Sequence, residues 1–140
     1  QLTANGYEHY EISNFAKPQY QSRHNLKYWQ TEEYLGIGPS AHSFLDGKRF
    51  YYPNNIKDFI ANPSLVYEGE GGTKEEKFLL ALRLSKGVDL SKFYGEIPKD
   101  KAEKISAMQN AGYLNVNLPH ISLTESGMLI SNSIITELLW

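Results

Sequence analysis

Residues 22–29 read SRHNLKYW and set an imidazole, a carboxamide, a phenol and an indole close together in a chain with four histidines. A neutral imidazole can hold haem iron or another transition metal through a ring nitrogen, and flanking aromatic rings suit a flat macrocycle. On a helix, residues four apart share a face, which pairs His24 with Tyr28 and Asn25 with Trp29. The plainer alternative gives Tyr28 and Trp29 to the core and leaves His24 an ordinary hydrogen-bonded histidine.

A second stretch, GIGPSAHS at residues 36–43, combines Gly36, Gly38, Ser40 and Ala41 with His42. So little side chain lets a backbone approach a ligand closely, and glycine-lined strand ends are where α/β barrels hold their ligands. The stretch has neither the GxGxxG spacing of a dinucleotide loop nor the lysine of a P-loop. A tight strand-to-loop turn would explain the same residues.

The elements that must position these groups can be read from periodicity and punctuation. The opening QLTANG reads as a helix tail with an Asn5–Gly6 stop, so the chain is expected to begin inside a larger protein. A strand follows over 7–13, and Pro18 breaks it. Ser22 can cap a short helix ending at Trp29. Residues 33–37 read as a short apolar strand entering the glycine bend, with a return strand over 48–52 after an Asp46–Gly47 turn. Asn54 or Asn55 can cap a helix carrying Ile56, Phe59 and Ile60, which Pro63 ends.

Beyond YEGEGGT at 67–73, which has no apolar periodicity to bury, the texture changes. Helices are expected over 75–85, 90–94 and 99–111, the last with Ala102, Ile105 and Met108 on one stripe. Strands over 113–117 and 120–124 follow, then a helix capped by Thr124 and carrying Ile130, Ile134 and Leu138. The expected fold class is α+β. It divides into barrel-type strands and helices over 1–66, a linker over 67–73, and a winged-helix-like domain over 74–140.

Composition closes several doors. The net charge of -2 supplies no positive field to gather nucleic acid. From residue 74 onward eight basic side chains meet eight acidic ones, and the hairpin NVNLPHIS has no Lys or Arg for phosphate, so no nucleic-acid partner is expected despite the winged-helix layout. There is no cysteine, so the chain offers no disulfide framework, thiolate zinc site or cysteine-held iron–sulfur cluster. No apolar run approaches the roughly 20 residues a membrane helix needs, and a cytoplasmic location is expected.

Taken together, YEISNFAKP, SRHNLKYW, YLGIGPSAHSFL, LALRLSKGVDL and the AGYLNV…ISLTESGMLISNSII ending resemble the C-terminal part of the oxygen-independent coproporphyrinogen III oxidase-like radical SAM proteins. The blocks occur in order along essentially the whole chain. Within that family the HNxxYW motif is characteristic of the haem chaperone branch, HemW, and His24, Asn25, Tyr28 and Trp29 match it. The resemblance implies haem binding at those residues, with His24 as metal ligand, and cofactor binding along Gly36, Gly38, Ser40, Ala41 and His42. Haem or a porphyrin, with a haem-acceptor protein, would be the partners.

The family's radical chemistry uses CxxxCxxC cysteines to hold a 4Fe–4S cluster that carries S-adenosylmethionine. None is present here, so those cofactors are implied for a full-length parent only, and no catalytic residue is assigned. Two alternatives stay open: a fragment of an oxidase of porphyrin biosynthesis, and a non-catalytic interaction domain. Family members often carry glycine where this chain has Ser40.

Overall fold

The computed structural model describes residues 1–139. A short 3-10 turn at Thr3–Asn5 ends on Gly6, whose φ of 79° is the left-handed geometry that glycine adopts freely. The next segment is not one strand but a hairpin, β1 (Glu8–Glu11) and β2 (Asn14–Ala16). The wholly buried Glu11 carboxylate makes the turn possible by accepting bonds from the Ser13 amide and the Asn14 side chain.

Helix α1 spans Arg23–Trp29, capped as expected by Ser22, whose hydroxyl accepts from the Asn25 amide. A three-stranded antiparallel sheet follows: β3 (His42–Leu45), β4 (Lys48–Tyr51) and β5 (Val66–Glu70), in that order. The Asp46–Gly47 turn joins β3 to β4, and α2 (Ile56–Ala61), capped by Asn55, crosses from β4 to β5. The apolar stretch before the bend contributes only an isolated bridge, Tyr34 to Phe44. Residues 66–70, partly inside the expected linker, pair with β4 instead, because β4 would otherwise present an unpaired edge.

The second half packs α3 (Lys74–Ala81), β6 (Val88–Asp89), α4 (Ser91–Tyr94), α5 (Lys99–Asn110), the hairpin β7 (Leu114–Asn117) and β8 (His120–Leu123), α6 (Glu125–Leu129) and α7 (Ser131–Leu139). This is the expected winged-helix order with one addition, the two-residue β6, which makes the wing a three-stranded sheet ordered β6-β8-β7. The contiguous hydrophobic core lies here and includes Phe78, Leu82, Leu90, Ile121, Ile135 and Leu138. Each such side chain contributes roughly 1.5–3 kcal/mol on burial.

Three details depart from the periodicity. Helix α3 stops at Ala81 so that Leu84 can bridge to Glu11. The last helix is split, and Ile130 falls at the break while Ile134, Ile135 and Leu138 are buried. On α5 the buried positions are Lys101 and Ile105, and Ala102 faces solvent.

Candidate functional site

Helix α1 has seven residues and buries none of them completely, so neighbouring elements must set its orientation. Its C-terminal end closes with a pair of bonds, Glu32 N–H to the Lys27 carbonyl and Thr31 N–H to the Tyr28 carbonyl, around Thr31 at φ 55°. His24 is exposed. Its Nε2 lies 2.8 Å from the Tyr28 hydroxyl, with the two rings edge to face at 4.9 Å. Tyr28 in turn meets Tyr34 edge to face at 4.4 Å, and the Tyr34 backbone exchanges two 2.9 Å hydrogen bonds with Phe44 on β3. A run of aromatic contacts thus leads from His24 to the sheet.

The other two motif residues face inward. Asn25 is half-buried, and its amide is held by the Ser22 cap. The Trp29 indole has the Arg83 guanidinium 5.7 Å from its ring centre.

The bend at 36–42 is tightly specified. A Cβ on Gly36 would run into the His42 carbonyl, so that glycine is a matter of space rather than of φ. Gly38 (φ 123°) and Ser40 (φ 63°) both lie in left-handed geometry, which gives glycine a physical advantage at position 40. The amides of Gly36, Ser40 and Ala41 are engaged by Ser43 Oγ, the Tyr52 carbonyl and the Gly38 carbonyl respectively.

His42 stacks on Tyr51 at 5.7 Å, and its Nδ1 lies 3.2 Å from a Glu68 carboxylate oxygen. An ionised carboxylate only accepts, so that bond requires the proton on Nδ1 and leaves Nε2 as the unoccupied nitrogen. Among the described residues no hydrogen bond or ring contact joins His42 or the bend directly to His24.

A cleft of about 240 Å³ lies beside the motif, lined by Tyr28, Tyr34, Phe44, Arg49, Glu76 and neighbours. Ligand pockets usually run to about 300–1,000 Å³, so this cleft is too small to enclose a tetrapyrrole. The exposed imidazole and the edge-packed rings fit such a flat ligand. A 4Fe–4S cluster does not fit: the chain has no cysteine, and no group of three or more His, Cys, Asp or Glu among the described residues could hold a metal ion.

Sequence reasoning missed Tyr34, Glu68 and Arg83. Tyr34 was hidden in a stretch read for its strand character and Glu68 in one read as a linker. Arg83 carries no local sign of a partner 54 positions upstream.

Comparison with known proteins identifies the family of the chain. Residues 74–130 match the family described as the HemN C-terminal domain. The haem chaperone HemW of Lactococcus lactis is 33% identical over 99% of this chain and 39% of its own length. The Bacillus subtilis haem chaperone HemW is 34% identical over 95% of this chain and 38% of its own length. The Escherichia coli haem chaperone HemW is 32% identical over 96% and 38%. This chain therefore spans under two fifths of the length of these relatives.

In fold the chain resembles the coproporphyrinogen III oxidase HemN of Escherichia coli, a radical SAM enzyme, at a TM-score of 0.63 with 15% identity, covering 98% of this chain and 38% of that one. No helix among the described residues is long and apolar enough to cross a membrane. By sequence the chain belongs to the HemN/HemW family, with residues 74–130 as its HemN C-terminal domain and the HemW proteins as its relatives over nearly its whole length.

Proposed function

We propose that this chain contributes the haem-facing end of a haem chaperone, with α1 as the element that meets the ligand. The observation that carries the reading is the exposed His24 bonded to the half-buried Tyr28 on α1, in a chain about a third identical over nearly its whole length to several haem chaperones. His24 ligates the iron. Tyr28 packs edge to face against the imidazole and bonds its Nε2 until iron takes that nitrogen, Asn25 lies in the capped first turn, and Trp29 seats the helix. Gly36, Gly38, Ser40, Ala41 and His42 would line the cofactor site of a full-length parent, where S-adenosylmethionine would be held. Haem would pass from this face to an acceptor protein. The reading carries with it the cytoplasmic location expected from the sequence, which fractionation would check.

The test is haem titration of the full-length protein, followed by Soret absorbance. The wild type is expected to show a shifted Soret band that weakens in His24→Ala; equal spectra and affinities in the two proteins would overturn the ligand assignment. The oxidase alternative rests on the fold likeness, which at 15% identity speaks to architecture alone. Decarboxylation of porphyrinogen propionates by the full-length protein would favour it.

A further inference from the structure

The segment LALRLSKGVDL leaves its helix after Ala81, and what it does next concerns α1. Its backbone joins the first hairpin: the Arg83 carbonyl accepts from the Ile12 amide at 3.1 Å, and the Ser85 amide donates to the Tyr10 carbonyl at 3.1 Å. The Arg83 side chain turns the other way. One terminal nitrogen donates to Asn132 Oδ1 on α7 at 2.8 Å, and the guanidinium carbon stands 5.7 Å from the centre of the Trp29 ring. Arg83 therefore touches the hairpin, the last helix and the motif helix at once.

Two donors at this junction, Trp29 Nε1 and Arg83 Nε, are buried without a hydrogen-bond partner. The contact is thus held by packing and by the attraction of a cation for the indole face, not by a hydrogen bond between the two side chains. Its strength depends on the charge and the flat shape of the guanidinium, and Asn132 fixes where that group lies.

The geometry matters for His24. His24 and Trp29 are five positions apart, which is about 140° around a helix of 3.6 residues per turn. Seating Trp29 against Arg83 therefore turns His24 outward. A seven-residue helix with nothing fully buried cannot fix that rotation by itself.

We propose that Arg83, braced by Asn132, is a positioning residue that clamps Trp29 and so sets the face of α1 that carries the exposed His24 and its partner Tyr28; its consequence for ligand binding rests on the haem reading above. Two measurements on the full-length protein separate the proposal from that reading. The first is amide hydrogen exchange, which needs no ligand. Arg83→Met, which keeps a long side chain but no charge, is expected to raise exchange across Arg23–Trp29 while the α5 core stays protected. Asn132→Ala should do so less, and Arg83→Lys should restore part of the protection. Unchanged exchange in α1 of Arg83→Met overturns the proposal whatever haem does, and equal loss of protection in α5 overturns it in favour of general unfolding.

The second measurement is haem titration. Arg83→Met is expected to bind about fivefold more weakly, the size of a modest cation–π contact, with a broadened Soret band, while Arg83→Lys stays near wild type. If His24→Ala binds haem normally, the haem reading fails, and exchange alone decides the clamp. If His24→Ala loses ligation while Arg83→Met matches wild type in affinity and band shape, the clamp has no part in binding and the proposal falls.

Discussion

The Tyr28 hydroxyl lies 2.8 Å from Nε2 of His24, one helical turn away and on the same face of α1. That contact occupies the outer nitrogen of the imidazole, the one best placed to meet a metal. The phenol can donate to the Nε2 lone pair or accept from an Nε2 proton, and in either state the nitrogen is engaged.

Removing the hydroxyl while keeping the ring isolates this contact. If iron takes Nε2, the phenol must first give way, so Tyr28→Phe should bind haem about threefold to tenfold more tightly, the value of one net hydrogen bond. The ring packing against Tyr34 is kept in the variant. Weaker binding by the same Soret titration would mean instead that the hydroxyl orients the imidazole for ligation through Nδ1.

Thr31 closes α1 at φ 55°, a conformation in which a β-branched side chain is strained. Thr31→Gly should therefore raise stability by about 1 kcal/mol, measured by urea unfolding, because relief of strain exceeds the added freedom of the unfolded chain. A loss of stability would show that the threonine side chain makes compensating contacts.

Gly36 has no room for a methyl group against the His42 carbonyl. Gly36→Ala is expected to cost about 1–3 kcal/mol by the same method and to shift the β3 amide resonances, since one backbone must move. An unchanged spectrum would show that the bend relaxes freely.

Tyr94 donates to the Leu138 carbonyl at 2.7 Å, and its pKa is raised, first by burial and then by the Asp100 charge. The folded state therefore favours the neutral phenol. Its contribution is fully present below the ordinary tyrosine value of about 10 and is lost as pH rises through the higher folded value. Tyr94→Phe should cost about 1 kcal/mol at neutral pH yet lose less additional stability than wild type above pH about 10. Parallel pH profiles would remove Tyr94 from the alkaline transition.

With no cysteine to hold a low-potential cluster, this 140-residue chain should generate no radical. Iron and sulfide reconstitution, then S-adenosylmethionine and reductant under anaerobic conditions, should leave the cofactor uncleaved. 5′-Deoxyadenosine above a protein-free control would contradict this.

Much of the architecture was legible in local signals. The Ser22, Asn55 and Thr124 caps, the Asp46–Gly47 turn and the β7–β8 alternation all act within a few residues, and each formed where its chemistry pointed. Features set by distant partners were not legible. The strand at Val66–Glu70 exists because β4 offers an edge, and α3 ends early because Leu84 meets Glu11. At the candidate site, the spacing of His24 and Tyr28 announced their contact. The neighbours Tyr34 and Arg83 come from other elements, and helix periodicity says nothing about them.

The bonds between Tyr10–Ile12 and Arg83–Ser85 make the chain return upon itself before its second half is complete. A protease that severed residues 71–73 would cut one covalent path and leave those backbone bonds, the bridge from Glu11 to Leu84, and Ile12 packed against the core of the other piece. The nicked halves should therefore elute together in native buffer and part only in denaturant, because the two halves are laced together independently of the peptide that connects them.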